Sequence, residues 1–279
     1  MKKHKIGYIS DLHLDFYLSK NSEKNIKKFI DTLMKPEKMD ILLIAGDEGH
    51  YESQTKEFIK QMKEYANHIL LVGGNHSMYL INNSQKNKHK YKSSNRIKDI
   101  QEWCLLEDNV YYMDGNVITI DDIKIGGYMN WYNLDTNGKI NQWNEYMNDS
   151  NLIIENHEPI VISYGYGGVL KESRWDTQHF RKLQEQNLDK IIQEKCDILL
   201  THIVPCIIPD EINSYKSSEH DMFYMTDDFD KVKQTGAEIV IYGHDHTVKK
   251  WSKDNIQFMT NALGYPSEPC ADKIEYFYY

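Results

Sequence analysis

At 279 residues the chain can bury about 75% of the surface its unfolded form exposes, so neither disulfides nor a structural metal is needed for it to fold. Its net charge of -9 argues against a broadly basic surface for wrapping duplex nucleic acid. No apolar stretch approaches the ~18 residues of a membrane span, and the run that follows Lys2, Lys3 and Lys5 ends at Ile9, too short for a signal peptide.

Short apolar runs alternate with longer amphipathic stretches, an order that predicts βαβ units in a single α/β domain over residues 1–279. Residues 5–10 read as a first strand. Ile26, Phe29, Ile30, Leu33 and Met34 then recur at helical spacing, predicting a helix over 22–35 that Pro36 helps to end. A second strand is expected over 40–45, followed by a helix in which Phe58, Ile59, Met62, Tyr65 and Ala66 share a face, and a third strand over 68–72. A helix over 95–106 leads to three short runs, 110–113, 117–120 and 123–127, which read as antiparallel strands. Further strands are predicted over 159–163, 197–201, 238–242, 257–260 and 274–278, with helices over 177–194 and 227–236. The segments 164–176 and 204–226 show neither periodicity; long connections of this kind often serve function, and they are expected to cap a site. Cys104, Cys196, Cys206 and Cys270 form no CxxC pair and read as reduced thiols of a cytoplasmic protein.

Metal-competent side chains occur where the predicted strands run out. Asp11 and His13 follow the first, Asp47 the second, and Asn75 and His76 the third. Thr201-His202 closes one strand of the second half, and Gly243-His244-Asp245-His246 closes another. In open α/β sheets the crevice outside the carboxyl ends of the strands is the usual ligand position. A carboxylate such as Asp47 can bridge two divalent cations, and neutral imidazoles supply directional nitrogen ligands. Gly46, Gly73, Gly74 and Gly243 allow the close backbone approach that gathers such ligands.

The set Asp11-x-His13, Gly46-Asp47, Gly74-Asn75-His76, His202 and Gly243-His244-x-His246, in that order, resembles the calcineurin-like metallophosphoesterases. The resemblance implies a four-layer α-β-β-α sandwich with two mixed sheets flanked by helices. It further implies two divalent cations, with Asp11, His13, Asp47 and His246 on one and Asp47, Asn75, His202 and His244 on the other. A hydroxide bridging them would attack the phosphorus of a monoester or diester. Asn75 would touch the phosphoryl oxygen, and His76 would protonate the leaving group. Mixed nitrogen and oxygen ligands suit manganese, iron and zinc alike. Two positions depart from the family pattern. An acidic residue commonly follows the motif histidine and orients it, where this chain has Ser77; and His50, in Gly46-Asp47-Glu48-Gly49-His50, is unusual and reads either as packing or as facing the site.

The favoured substrate is a nucleotide or other small phosphoester. The alternatives are a nuclease or phosphoprotein phosphatase using the basic stretch Lys86, Lys88, His89, Lys90, Lys92, Arg96 and Lys98, or a non-catalytic metal-binding scaffold. His4, His68, His89, His157, His179 and His220 read as structural or solvated, Gly165, Gly167 and Gly168 as part of a cap, and Tyr164, Tyr166, Tyr215 and Tyr224 as packing or as stacking partners for an aromatic leaving group.

Overall fold

The computed structural model describes residues 3–18, 22–34, 38–134, 137–155, 160–163, 170–173, 176–213, 221–268, 271 and 273–279. Strands β1 (Lys5–Ile9), β2 (Met39–Ile44), β3 (Ala66–Leu71) and β4 (Val110–Tyr112) run parallel, in that order, in a first sheet. Strands β5 (Asn116–Ile120) and β6 (Ile123–Gly127) form a hairpin at one edge of a second sheet, and among the described residues β7 (Ile160–Ser163) and β8 (Leu170–Ser173) pair with each other. The second sheet is completed by β9 (Ile198–Leu200), β10 (Ile239–Tyr242), β11 (Val248–Lys253) and β12 (Ile256–Asn261), in the order β11-β12-β10-β9-β6-β5. Strand β13 (Glu275–Tyr278) returns antiparallel to β1, so both sheets are mixed.

Side chains alternate across each strand, and the alternation sorts the core into layers. Ile41 and Leu43 of β2 meet Ile239 and Ile241 of β10 in an apolar layer between the sheets. Leu42 and Ile44 face the other way, onto helices Glu23–Leu33 and Glu52–Met62. Val240 and Tyr242 likewise turn outward onto helices Thr177–Glu194 and Phe229–Thr235. The result is the α-β-β-α sandwich expected from the sequence, in which each fully buried Ile or Leu contributes roughly 1.5–3 kcal/mol.

Parallel register sets the strand ends side by side, with Ile9 opposite Ile44, Ile44 opposite Leu71, and Leu200 opposite Ile241. A bridge between Ser10 and Ala262 then joins the rims of the two sheets, through Ser10 N–H to Asn261 O (3.2 Å) and Leu263 N–H to Ser10 O (3.0 Å). One crevice therefore receives loops from both.

Several local expectations are corrected. Strand β4 is no partner of the β5–β6 hairpin but lies parallel to β3 in the other sheet. The helix holding Phe58, Ile59 and Met62 ends at Met62, and Ala66 already opens β3. Strand β8 lies inside the segment expected to be irregular, and β11 and helix Asn137–Tyr146 were not anticipated. Cys104, Cys196 and Cys206 are buried free thiols; Cys270, His157, His220, Tyr164, Tyr166, Tyr215, Gly165, Gly167 and Gly168 lie outside the described residues. Among the described residues, no helix is long and apolar enough to cross a membrane.

Candidate metal centre

The loops after β1, β2, β3, β9 and β10 bring all seven expected ligand residues together. Asp11, His13 and His246 lie close enough to share an ion; so do Asp47, His202 and His244, and so do His13, Asp47 and His76, each set having its donor atoms within 4.8 Å of one another. Asp47 belongs to two of these sets, and the amide Oδ1 of Asn75 lies 3.1 Å from His202 Nε2.

The backbone is bent hard to achieve this. Asp11, His13, Asp47, His244 and His246 all have φ between 40 and 70°, a region that side-chain-bearing residues seldom occupy. Residues held there cost of order 1–3 kcal/mol each and cluster at functional sites. The loops brace one another: Asp11 N–H donates to Gly46 O and His13 N–H to Asp47 O, both at 3.0 Å, and the Asp11 carboxylate accepts His244 N–H at 3.0 Å. Gly243 is required by close approach, since a Cβ there would stand 2.7 Å from Asp11 Oδ2 and 2.8 Å from Ala45 O.

Three imidazoles are aimed by their outer nitrogens. His202 Nδ1 lies 2.8 Å from Ala45 O, His244 Nε2 2.7 Å from Phe223 O, and His246 Nδ1 2.7 Å from Glu268 Oε2. A carbonyl or carboxylate oxygen can only accept, so each of these nitrogens carries the proton. The opposite nitrogen of each ring is thereby turned toward the cluster, the arrangement usual for metal-ligating histidines. His13 Nε2 and His246 Nε2 converge to 3.0 Å, and the buried Nδ1 of His13 has no hydrogen-bond partner among the described residues. Burial pushes His13 and His244 down to about 3 and His76 well below the usual imidazole range, so these rings are neutral. Burial disfavours charge on Asp47 and His202 too, but their mutual attraction outweighs it. Asp47 stays well below the usual carboxylate range, and His202, whose Nε2 is 3.3 Å from Asp47 Oδ2, rises to about 9. An ionised Asp47, neutral His13 and His244, and a His202 nitrogen whose proton a cation would replace fit divalent cations.

The supporting partners come from far along the chain. Asn75 Nδ2 donates to Asp149 Oδ1 at 2.9 Å and to Tyr79 Oη at 3.2 Å, which turns Oδ1 toward His202. Asp149 also receives the hydroxyls of Tyr79 and Tyr132, and burial raises its carboxyl to about 6. Sequence reasoning missed Asp149, Glu268 and Tyr265; the Tyr265 ring stacks on His13 with centroids 4.6 Å apart. A cleft of about 210 Å³ opens over Asp47, Asn75, His76, His244 and His246, with Tyr224 and Tyr265 in its wall.

His50, left open by the sequence, is buried beside His76, with Nε2 2.8 Å from His76 Nδ1. The remaining described histidines lie elsewhere: His4 near Asp121, His68 on β3, His89 against Glu52, and His179 on the surface. The basic stretch is divided, with Lys90 and Lys92 exposed and Arg96 turned inward. Arg96 is buried and donates to the carbonyls of His76, Tyr79 and Gly49, while Lys88 pairs with Glu52 and Lys98 with Glu102.

The model of the family described as calcineurin-like phosphoesterase matches residues 4–248. The chain is 25% identical over 273 residues to the uncharacterized protein L509 of Acanthamoeba polyphaga mimivirus, spanning 94% of this chain and 92% of that protein. In fold it is similar to the crystal structure of phosphopantetheinyl hydrolase from Mycobacterium tuberculosis, with a TM-score of 0.66 at 15% identity, covering 99% of this chain and 96% of that one.

Proposed function

This chain belongs to the calcineurin-like phosphoesterase family, and from that premise we propose that it hydrolyses phosphate esters of small molecules with the help of two divalent cations. The observation that carries the proposal is the aiming of His202, His244 and His246, each donating one ring N–H to oxygen and turning the other nitrogen toward the carboxylates of Asp47 or Asp11. Asp11, His13, Asp47 and His246 would hold one cation, and Asp47, Asn75, His202 and His244 the other. Manganese, iron and zinc all suit this donor set. When bound, such a pair supplies an acidified water and offsets the charge of the phosphoryl oxygens.

The chain's own residues do the rest. Asp149 and Tyr79 lock the Asn75 amide so that its oxygen, and not its nitrogen, faces the cluster. His76 has Nδ1 engaged by His50 and Nε2 toward the cleft, 3.2 Å from Tyr265 Oη. As water oxygen bonds to phosphorus and the ester P–O bond breaks, the proton on His76 Nε2 passes to the departing oxygen. The cleft of about 210 Å³ suits a phosphoryl group with a small or planar substituent. Burial of Arg96 takes the arginine of the basic stretch out of reach of a nucleic acid backbone.

The test is turnover of p-nitrophenyl phosphate against its bis-ester by the protein loaded in turn with manganese, iron or zinc. Metal-dependent hydrolysis with a strong preference for one ester is expected, and that preference assigns monoesterase or diesterase. Hydrolysis of neither with any metal would overturn the reading. DNA or RNA binding that weakened steeply with salt would instead favour a nuclease.

A further inference from the structure

The position after the motif histidine is Ser77, and its hydroxyl is turned away from the imidazole. Ser77 Oγ accepts Gly74 N–H at 3.1 Å and donates to Glu48 Oε2 at 3.1 Å. Something else must fix the ring of His76. His50, three residues beyond Asp47, has its Nε2 2.8 Å from His76 Nδ1, with the two rings within 5° of parallel and their centroids 4.8 Å apart. His50 is itself gripped twice by one carboxylate: Asp15 Oδ1 accepts its backbone N–H at 2.9 Å, and Asp15 Oδ2 lies 2.7 Å from its Nδ1. Phe16 and Tyr79 flank the His50 ring, with centroids 5.8 and 5.5 Å away.

We propose that His50, anchored by Asp15, is the positioning residue for His76, doing from the loop after β2 what the side chain at Ser77 does not do. A carboxylate only accepts, so the proton on His50 Nδ1 is fixed by Asp15. His50 Nε2 and His76 Nδ1 then share one proton between them, whichever ring bears it at a given moment. His76 Nδ1 is committed in either case, and Nε2 is the nitrogen left to face the cleft. With a proton on His76 Nε2, its Nδ1 accepts from His50 Nε2–H, and the second proton of His50 is held on Nδ1 against the Asp15 carboxylate. When Nε2 gives its proton to the leaving oxygen, the shared proton rests on His76 Nδ1, His50 keeps its own on Nδ1, and both rings are neutral and hydrogen-bonded. The hydrogen-bonded geometry stands by itself; its catalytic meaning rests on the phosphoesterase reading above.

The experiment uses the full chain, as wild type and as His50→Ala, His50→Gln, His76→Ala and the double variant His50→Ala/His76→Ala. In metal-free, ¹⁵N-labelled protein, a slowly exchanging ring N–H shared by two imidazoles is expected in the wild type and lost in both single alanine variants. With metals loaded, His50→Ala should retain its ion content and KM but lose ~10- to 100-fold in kcat, the usual cost of removing a residue that orients another. The loss should be larger for alkyl than for p-nitrophenyl leaving groups, partly restored in His50→Gln, and absent when His76 is already alanine. Absence of the shared N–H from the wild type would overturn the proposal, as would independent, multiplicative losses in the double variant. If the wild type turned over no phosphoester, the functional reading would fall, while the ring N–H would still decide whether His50 holds His76.

Discussion

Gly74 offers a demanding test of how the centre is built. Its φ is ordinary, so replacement by alanine carries no conformational penalty of the left-handed kind; the cost is steric. A Cβ at this position would lie 2.1 Å from Asp47 Oδ1, 2.7 Å from Asp47 Cγ and 2.8 Å from the Asp47 backbone nitrogen. Restoring an ordinary carbon–oxygen contact of about 3.3 Å means displacing the carboxylate or the loop by about 1.2 Å. Asp47 Oδ1 accepts His76 N–H at 2.8 Å, and its Oδ2 faces His202 Nε2 at 3.3 Å, so the displacement cannot be made without breaking those contacts. Overpacking of this kind costs roughly 1–3 kcal/mol of stability. Because a shift of about 1 Å in a reacting constellation can cost ~10²-fold, kcat should fall by at least about that factor, together with loss of bound metal. Turnover of p-nitrophenyl phosphate, metal content by elemental analysis and unfolding in denaturant would be measured side by side. A Gly74→Ala protein with two ions and wild-type kcat would refute the reasoning.

Asp47→Asn keeps the shape of the side chain but removes the charge shared by two of the donor sets; both ions should be lost from elemental analysis and turnover abolished. Without metal, His202 is raised to about 9, so below that pH an ion taking its site must expel a proton. Affinity should therefore climb by about tenfold per pH unit toward 9 and then level; calorimetry in buffers of different ionisation enthalpy at pH 7 should show about one proton released, and none released would mean that His202 was already neutral. Arg96→Met leaves the carbonyls of His76, Tyr79 and Gly49 without their buried donor, while Glu52, 3.4 Å from Arg96 Nε, keeps Lys88 and His89. With three buried carbonyls left unsatisfied, a loss of about 3–5 kcal/mol in denaturant unfolding is expected, and a change under about 1 kcal/mol would contradict the clamp.

The seven candidate ligands were readable because each sits in a short block at the end of an apolar run, and parallel register carries such ends to one rim. Their orienting partners were not. Asp149, Asp15 and Glu268 reach Asn75, His50 and His246 across 74, 35 and 22 residues, and none stands in a recurring pattern. Ser77 signalled that an orienting carboxylate was missing but not where its substitute lay. Among the elements, β10 announced itself through Ile239, Val240, Ile241 and Tyr242, buried on both faces. Strand β11 did not, because Val248-Lys-Lys-Trp-Ser-Lys253 lies at a sheet edge and buries only Trp251. Strand β4 was misassigned for a different reason: three residues carry too little pattern to choose a sheet, and the choice was made by the helix before it, Ser93–Cys104.

The crevice divides its donors between two bodies of structure: Asp11, His13, Asp47 and Asn75 descend from the first sheet, and His202, His244 and His246 from the second. Cations seated there would act as rivets through a seam already tacked at that rim by the bridge from Ser10 to Ala262, by His244 N–H to the Asp11 carboxylate and by His202 Nδ1 to Ala45 O. Stripping them should loosen the seam more than the helices outside it. Amide exchange would then quicken first at residues 10–13 and 243–247, while Leu42 and Val240, deep in their own layers, keep their protection until the whole chain unfolds.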